Sequence, residues 1–217
     1  MRKTVNVVTV KWDHLMFDLS EKGFRVESVA EEALENKQVL SLLFEGILSK
    51  KDTIRYNSFR VLLFISEEHP EVLIPKWDFF ADLINSDNSY RKLIGVRIIA
   101  NLTRADTENK FDKIFDKYYD LFNDSVIVAG HLAANSGKIA KAKPKLQTKI
   151  TDKLLNIDKT NQKHKDLVKA GAIEAFDEYF EEAKNKKKIL EFVKDQLKCT
   201  SPKTRKKAKE FLRKWEH

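Results

Sequence analysis

The sequence has few of the residues that disulfide-bonded or turn-rich proteins require. Its 217 residues include one cysteine, six glycines and four prolines. A lone Cys199 excludes an intrachain disulfide and a thiolate metal cage, and it is typical of a reducing compartment, so we expect a cytoplasmic protein. So few glycines and prolines do not supply the frequent turns of a β-sandwich or barrel. The chain is therefore expected to be mainly helical.

Long hydrophobic runs are missing too. No stretch approaches the roughly 18 consecutive apolar residues that indicate a transmembrane helix. The segment after the basic start at residues 1–3 is too short and polar for a signal peptide. We therefore expect neither secretion nor a membrane span. Hydrophobic residues at 42% and charged residues at 34% fit a globular chain.

Charge is distributed unevenly along the chain. Residues 1–137 contain 18 Lys and Arg against 21 Asp and Glu, a balance of −3, and residues 138–217 contain 23 against 12, a balance of +11. The net charge of +8 thus comes from the C-terminal part. A one-sided positive field favours acidic partners such as nucleic acid, an anionic membrane surface or an acidic protein segment. The alternative is that the lysines only keep the chain soluble.

Helix starts recur at a nearly constant interval. Asp52, Asn88 and Asp124 lie 36 residues apart, and each precedes an apolar helical stretch. Asp and Asn side chains accept the free amides of a first helical turn, so these residues are predicted N-caps. Further starts are predicted at Asn161 and at Ser201, where Pro202 suits the first helical position.

An amphipathic segment precedes each of these five starts. In each segment apolar residues recur at spacings of three and four, which places them on one helix face. Short polar links join each segment to the helix that follows, as in antiparallel helical hairpins. The five preceding segments cover residues 39–47, 73–84, 111–122, 146–154 and 189–197.

Two predicted second helices share a motif of Asp or Asn at the start, Arg three residues later and a small or apolar residue three further on. The two copies are Asp52-Arg55-Ser58 and Asn88-Arg91-Ile94. This motif, with its period, resembles that of HEAT repeats in the HEAT and armadillo class. The third copy departs from it with Ile127 in the place of Arg, and the last has Arg205 with Ala208 but no Asp.

The resemblance implies an all-α fold, a right-handed α-α superhelix or solenoid of about five HEAT-like helical hairpins. It covers roughly residues 36–217, which we expect to form one continuous solenoid. Residues 1–35 are expected to form an N-terminal cap that covers the first apolar face, with a strand or turn over residues 4–10 and a helix over residues 26–34. Gly95 and Gly130 lie at equivalent places in their helices, where we expect helix backbones to approach closely.

Catalytic and cofactor motifs are scarce. The five histidines form no helical zinc pair, and the His-Glu dipeptides of HEAT-type di-iron hydroxylases do not occur. No glycine-rich phosphate loop is present, so we predict no cofactor, no metal and no enzymatic activity. HEAT-like DNA glycosylases remain a distant third hypothesis. Their aromatic and carboxylate residues have a local counterpart only in Trp12-Asp13 and in residues 77–80, where spacing directs Trp77 and Phe80 to the core.

The leading hypothesis is a non-catalytic scaffold or adaptor for an unidentified protein partner. In HEAT arrays the second helices usually line the concave surface, so their polar residues are candidates for partner contact. Arg55 and Arg91 are expected to make structural hydrogen bonds between repeats instead. The candidate partner-binding residues are Tyr56, Arg60, Lys92, Arg97 and Asn135.

The alternative hypothesis is nucleic-acid binding through the basic C-terminal helices. The last helix is amphipathic, with apolar residues on one side and a dense cationic face on the other. Phosphate binding by such a face releases counterions and depends steeply on salt. A solvated cap that keeps the end of the array soluble is the competing interpretation. The candidate nucleic-acid-binding residues are Lys203, Arg205, Lys206, Lys207, Arg213 and Lys214.

Overall fold

The computed structural model describes Leu19 and residues 24–216, and every regular element in this part of the chain is helical. The prediction of an all-α fold is therefore confirmed. The chain divides into two compact units, residues 1–73 and residues 74–217. The predicted division into a cap over residues 1–35 and a single domain over residues 36–217 stays a prediction.

The first unit contains four helices in its described part. α1 spans Val26–Glu35, α2 Lys37–Gly46, α3 Asp52–Glu68 and α4 Pro70–Leu73. α1 packs against both α2 and α3, and α2 packs against α3. The predicted helix over residues 26–34 is thus confirmed, whereas the strand or turn predicted over residues 4–10 lies outside the described residues.

The second unit continues as helices joined by short loops and single 3₁₀ turns. Its helices are α5 Trp77–Leu83, α6 Ser89–Leu102, α7 Lys110–Asp120, α8 Val126–Ala142, α9 Gln147–Leu155, α10 Lys165–Tyr179, α11 Lys186–Asp195 and α12 Pro202–Trp215. Four alternate helices of this unit pack against one another in chain order: α6 contacts α8, α8 contacts α10, and α10 contacts α12.

The predicted helix starts are partly right. Asn88 caps α6 by accepting hydrogen bonds from the N–H groups of Tyr90 and Arg91, and Ser201 caps α12 with Pro202 in the first turn. The predicted cap at Asp124 is wrong, because Ser125 accepts the amide of Val128 instead.

Two other predicted starts also differ from the structure. Asp52 is the first residue of α3 rather than its cap, and its carboxylate accepts a hydrogen bond from Arg55. Asn161 does not begin a helix, because α10 starts at Lys165 after a loop. The backbone N–H of Asn161 donates instead to Oδ1 of Asn123 at 2.8 Å.

Core positions follow the apolar periodicity. Trp77 and Phe80 are buried and Asp78 and Asp82 are exposed, as the spacing in α5 predicts. Ser58 of the HEAT-like motif is fully buried, and its hydroxyl would lie 2.1 Å from a Cβ added at Gly46. The absence of a side chain at Gly46 thus permits close packing of α2 on α3 at Ser58.

The glycines of the second helices have different roles. A Cβ added at Gly95 would lie 2.9 Å from the carbonyl oxygen of Phe80, which confirms the predicted close approach. At Gly130 the helix backbones also approach closely, but the absence of a side chain at Gly130 is not the reason, because an added Cβ there would have nothing within 4 Å. The close approach belongs to Gly171, whose added Cβ would lie 2.6 Å from the carbonyl oxygen of Gly130 and 2.9 Å from the amide of Ala134.

Two kinds of feature are absent from the described residues. None of the helices there combines the length and apolar character needed to cross a bilayer. No group of three or more His, Cys, Asp and Glu side chains is placed to hold a metal ion in that part of the chain.

The contrast between the two facing glycines gives a stability prediction. Gly171→Ala places a methyl group against the backbone of α8, so we expect a loss of about 1–3 kcal/mol in the free energy of unfolding. Gly130→Ala adds the same methyl group in open space and should raise that free energy by up to about 1 kcal/mol through helix propensity. Urea unfolding of both variants tests the packing, and equal effects would contradict it.

Candidate functional site

A shallow groove lies on the surface of the second unit where α8, α10 and α12 meet. Its volume is about 240 Å³, below the roughly 300–1,000 Å³ typical of pockets that enclose a small molecule. α8 contributes Val126, Ile127, Gly130, His131 and Ala134, α10 contributes Leu167, Gly171 and Glu174, and α12 contributes Lys203. We call this surface the α8–α10 groove.

Two aliphatic side chains on the walls of the groove are exposed. The accessible fraction is 61% for Ile127 and 44% for Leu167, both in the first turn of their helices. Because both residues line the same groove, we treat them as candidates for contact with another protein.

Small residues keep the groove open. Gly130, Ala134 and Gly171 line the groove together with Ile127 and Leu167, and they present little or no side chain. Gly171 permits the close contact between the two helices. Gly130 has no such packing reason, since its missing side chain leaves open space. Glycine inside a helix costs about 1 kcal/mol relative to alanine.

The groove is lined by charges of both signs, Glu174 and Lys203. Lys203 is exposed and has no acidic partner among residues 24–216, whereas Glu174 is paired with Lys207 at 3.3 Å. Burial lowers the pKa of His131 below its ordinary value of 6.5, and the charges of Arg97 and Lys203 lower it further. The Glu174 carboxylate acts in the opposite direction, but the net effect lowers the pKa and so favours the neutral form of His131.

An ion pair fixes α8 relative to α6. The Lys92 ammonium lies 2.5 Å from Oδ2 of Asp124, and the Ser89 hydroxyl donates to Oδ1 of the same carboxylate at 3.1 Å. Burial opposes ionisation of Asp124, but the hydrogen bonds from Lys92, the Ser125 N–H and Ser89 outweigh it and lower its pKa. The position of the first turn of α8, which carries Ile127, thus depends on this pair.

A second carboxylate joins α10 to the start of α12. Oδ2 of Asp166 accepts hydrogen bonds from the N–H and the hydroxyl of Thr200 at 2.8 and 2.6 Å. The hydroxyl of Thr204 donates to the backbone carbonyl of Asp166. These bonds place Lys203 of α12 beside Leu167 of α10 at the edge of the groove.

The predicted partner-binding residues lie in different surroundings. In the first unit Tyr56 is 54% exposed, and the Arg60 guanidinium lies 5.9 Å from the centre of its ring. In the second unit Lys92 is engaged by Asp124, and the Asn135 amide donates to the His131 carbonyl at 2.8 Å. Arg97 lies near the groove, where it affects His131. Contact of these five residues with a partner stays a prediction.

Arg55, one of the two arginines predicted to be structural, makes a bond like that of Arg205 in α12, which was predicted to bind nucleic acid. Arg55 donates to the Ser49 carbonyl at 3.0 Å, six residues earlier, and Arg205 donates to the Cys199 carbonyl at 2.7 Å, also six residues earlier. Both bonds tie the start of a second helix to the loop that precedes it. They lie within a helix pair, whereas the sequence predicted bonds between repeats for Arg55.

The predicted nucleic-acid-binding residues of α12 divide into paired and unpaired cations. Lys207 contacts Glu174 and Glu210, Lys214 contacts Asp177 at 2.9 Å, and Arg205 donates to backbone carbonyls. Lys206 lies 4.0 Å from Glu210. Lys203 and Arg213 have no acidic partner among the described residues, and neither has Lys209, which lies outside the set predicted from the sequence. Nucleic-acid binding by these residues stays a prediction.

Another groove lies between α7 and α9 in the second unit. Charged residues of both signs line it, including Asp116, Asp152 and Lys149. Lys153 crosses it to lie 3.1 Å from Asp116 and 5.8 Å from the centre of the Phe115 ring. Because the rings that line it, those of Phe115, Tyr119 and Phe122, are buried, this groove offers less apolar surface to a partner and is a weaker candidate than the α8–α10 groove.

Sequence reasoning missed the main elements of the α8–α10 groove. The sequence contains one signal for Ile127, which stands where the HEAT-like motif has arginine. An apolar residue in place of a polar one at that position indicates an exposed apolar side chain. Leu167 and Gly130 had no comparable signal, because an exposed leucine and an internal glycine also occur in ordinary amphipathic helices.

Comparisons of this chain with protein-family models, with curated proteins and with solved structures gave no match. The function is therefore inferred from the groove and the charges around it.

The ion pair between Lys92 and Asp124 leads to a pH prediction. Because the pKa of Asp124 is lowered in the folded protein, its stabilising effect is complete above the unfolded value of about 3.9 and is lost as the pH falls through the folded value. Asp124→Asn should reduce the free energy of unfolding by about 1.5–3 kcal/mol at pH 7, and by progressively less below pH ~4. Urea unfolding across this pH range measures the difference.

A matched control is Asp116→Asn, which removes an ion pair whose carboxylate side chain is 86% exposed. Exposed pairs contribute little, so this variant should differ from the unsubstituted protein by less than about 1 kcal/mol at every pH. A loss for Asp124→Asn that is the same at pH 7 and pH ~3 would contradict the assigned role of its charge.

Proposed function

We propose that this chain is a non-catalytic, HEAT-like α-solenoid scaffold that binds a protein partner on the face formed by its second helices, with the α8–α10 groove at the contact. The solenoid arrangement, its right-handed superhelix and the HEAT relationship are parts of this proposal. A cytoplasmic location is also part of it, supported by the single cysteine.

The regular spacing of contacts in the second unit supports the solenoid. Polar bonds join residues that are 32 to 38 positions apart, close to the period of the sequence. In a repeat array each unit contacts mainly its neighbours, which yields this kind of pattern. The bonds are Lys92–Asp124, Asn101–Lys138, Asn123–Asn161, Asp166–Thr200 and Asp177–Lys214.

The observation that carries the binding function is the exposure of Ile127 and Leu167 in a groove that they line together with Gly130. The glycine at position 130 leaves room for a partner side chain between these walls. Aliphatic walls with a neutral histidine favour binding over chemistry, because they offer no activated nucleophile. A buried side chain in the centre of an interface, surrounded by a polar rim, is the usual source of affinity.

The proposed function predicts that acidic residues on the walls abolish partner binding. The double variant Ile127→Glu/Leu167→Glu should no longer capture from lysate a partner that the unsubstituted chain captures. Two charges then replace the apolar contact. Capture should persist after nuclease treatment, because protein contacts carry it. Quantitative mass spectrometry of the captured proteins makes the measurement.

The matched control is Leu197→Glu, which charges another exposed leucine outside the groove. It should retain the partner, and both variants should keep the helical circular dichroism and melting midpoint of the unsubstituted chain. Equal capture by the groove variant and this control would overturn the proposed function.

Nucleic-acid binding is the second candidate, favoured by the cations on the outer face of α12. Lys206, Lys209 and Arg213 lie at spacings of three and four, so they form one stripe on that helix. Such a stripe can follow a phosphate backbone, and its affinity falls with salt in proportion to the number of neutralised phosphates.

The cations on the outer face of α12 and those that contact α10 allow a direct test of this candidate. Lys206→Gln/Lys209→Gln/Arg213→Gln should weaken oligonucleotide binding and reduce the slope of log affinity against log salt, by about 0.7–0.9 for each phosphate that the variant no longer neutralises. Lys207→Gln/Lys214→Gln, which removes cations already paired with Glu174 and Asp177, should change the slope less. Fluorescence anisotropy at several salt concentrations measures both, and equal slopes would remove this candidate.

A further inference from the structure

The outer side of α12 carries a surplus of positive charge that comes from its own lining residues. One carboxylate lies there among four cations, so three positive charges remain in excess. This inference rests on the second proposed function, nucleic-acid binding, and identifies the form of nucleic acid that the surface fits. We call the surface the α12 outer face, and it is lined by Pro202, Arg205, Lys206, Lys209, Glu210 and Arg213.

The cations of the α12 outer face are largely free of internal ion pairs. Arg205 donates to two backbone carbonyls, which carry no net charge. Lys206 lies 4.0 Å from Glu210, and its side chain remains 77% exposed. Lys209 and Arg213 are exposed and have no acidic partner in the described part of the chain. An anionic ligand can therefore bind here without displacing a close ion pair.

The spacing of three of these cations matches the charge spacing of a duplex. Lys206, Lys209 and Arg213 extend over seven residues of α12, which corresponds to about 10.5 Å at the helical rise of about 1.5 Å per residue. Double-stranded DNA carries one phosphate per about 3.4 Å of its axis on each strand, so the same length of one strand carries about three phosphates. Three cations held on a helix can thus contact about three phosphates of one strand.

The α12 outer face offers no surface on which unpaired bases can stack. Proteins that bind single strands usually add aromatic rings on which successive bases stack. None of the described residues that line this face is aromatic. The two rings of α12 pack inward, because those of Phe211 and Trp215 each lie 5.1 Å from the ring of Phe180, and Trp215 donates to Asp177. Ionic contacts without stacking favour a duplex, whose bases are already stacked.

The apolar side of α12 distinguishes a duplex from a membrane surface. An amphipathic helix that binds a membrane buries its apolar side in the lipid interface. In α12 that side is occupied within the protein, because Ala208, Phe211 and Leu212 are buried. The helix therefore presents charge alone, as contact with a phosphate backbone requires.

We propose that the α12 outer face binds the phosphate backbone of a duplex nucleic acid, with Lys206, Lys209 and Arg213 contacting successive phosphates of one strand. The positive balance of +11 over residues 138–217 attracts the duplex from a distance. Phosphate contacts carry no sequence information, so two duplexes of different sequence should bind with similar affinity.

The test compares a labelled duplex of about 20 base pairs with one of its strands, using the full chain and fluorescence anisotropy at several salt concentrations. The duplex should bind at least about fivefold more tightly than the strand at the lowest salt. In Lys206→Gln/Lys209→Gln/Arg213→Gln the slope of log affinity against log salt should become shallower by about 2.7 for the duplex, or about 0.9 for each of three phosphates.

A charge-matched control separates direct contact from the general attraction of a basic protein. Lys113→Gln/Lys117→Gln/Lys149→Gln removes three exposed lysines from α7 and α9 and lowers the net charge by the same amount. It should keep the duplex slope of the unsubstituted chain. Glutamine is nearly as good a helix former as lysine, so both triple variants should keep the helical circular dichroism and melting midpoint. Equal changes of slope in the two variants would overturn the inference.

The remaining outcomes distinguish this inference from the proposed functions. A strand that binds as tightly as the duplex would overturn the inference, while nucleic-acid binding through α12 would stand if the α12 variant weakens it. If neither nucleic acid binds, both the inference and the second proposed function fail. Displacement of the duplex by phosphatidylserine vesicles as effectively as by unlabelled duplex, at equal total phosphate, would overturn the inference in favour of any anionic surface. Lysate capture by Ile127→Glu/Leu167→Glu still tests the scaffold separately.

Discussion

The close packing of α10 on α8 is the constraint on which the candidate site depends. Where the two helices meet, Gly171 lies against the backbone carbonyl of Gly130, and a Cβ at Gly137 would lie 2.8 Å from the carbonyl oxygen of Ala175. Protein interiors are packed densely, so this contact leaves little freedom to shift one helix along the other. It brings the first turns of both helices together, and with them Ile127 and Leu167. A shallow groove between two fixed walls follows directly from this packing.

Polar contacts then fix the neighbouring helices on either side of that pair. Asp124 holds α8 to α6 through Lys92 and Ser89, and Asp166 holds the start of α12 to α10 through Thr200. Both carboxylates lie at the helix starts that border the groove. Hydrogen bonds lower the pKa values of both carboxylates, so both carboxylates are ionised near neutral pH. The same carboxylates that stabilise the stack therefore also place the residues of the site.

The cationic residues of α12 have two different roles. Lys207 and Lys214 reach back to acidic residues of α10, and Trp215 donates to Asp177 at 2.6 Å, so one side of the helix is an interface within the protein. The outer side carries Lys206, Lys209 and Arg213, and Lys203 faces the groove. A dense cluster in the sequence is thus divided by the fold into stabilising, groove-facing and outward-facing charges, each open to a separate test.

The sequence by itself determined the all-helical fold, the helical character of residues 26–34, two of the caps and the burial of Trp77 and Phe80, because these depend on local periodicity and local hydrogen bonds. It failed at Asp124 and Asn161, because the Asp124 carboxylate bonds to Lys92, 32 positions earlier, and the Asn161 N–H bonds to Asn123, 38 positions earlier. The sequence also led us to predict a packing role for Gly130. A glycine required for close helix packing and a glycine beside open space cannot be distinguished from the sequence. Only the tertiary structure decided between them, since the groove is formed by side chains and backbone from three helices that are distant in sequence.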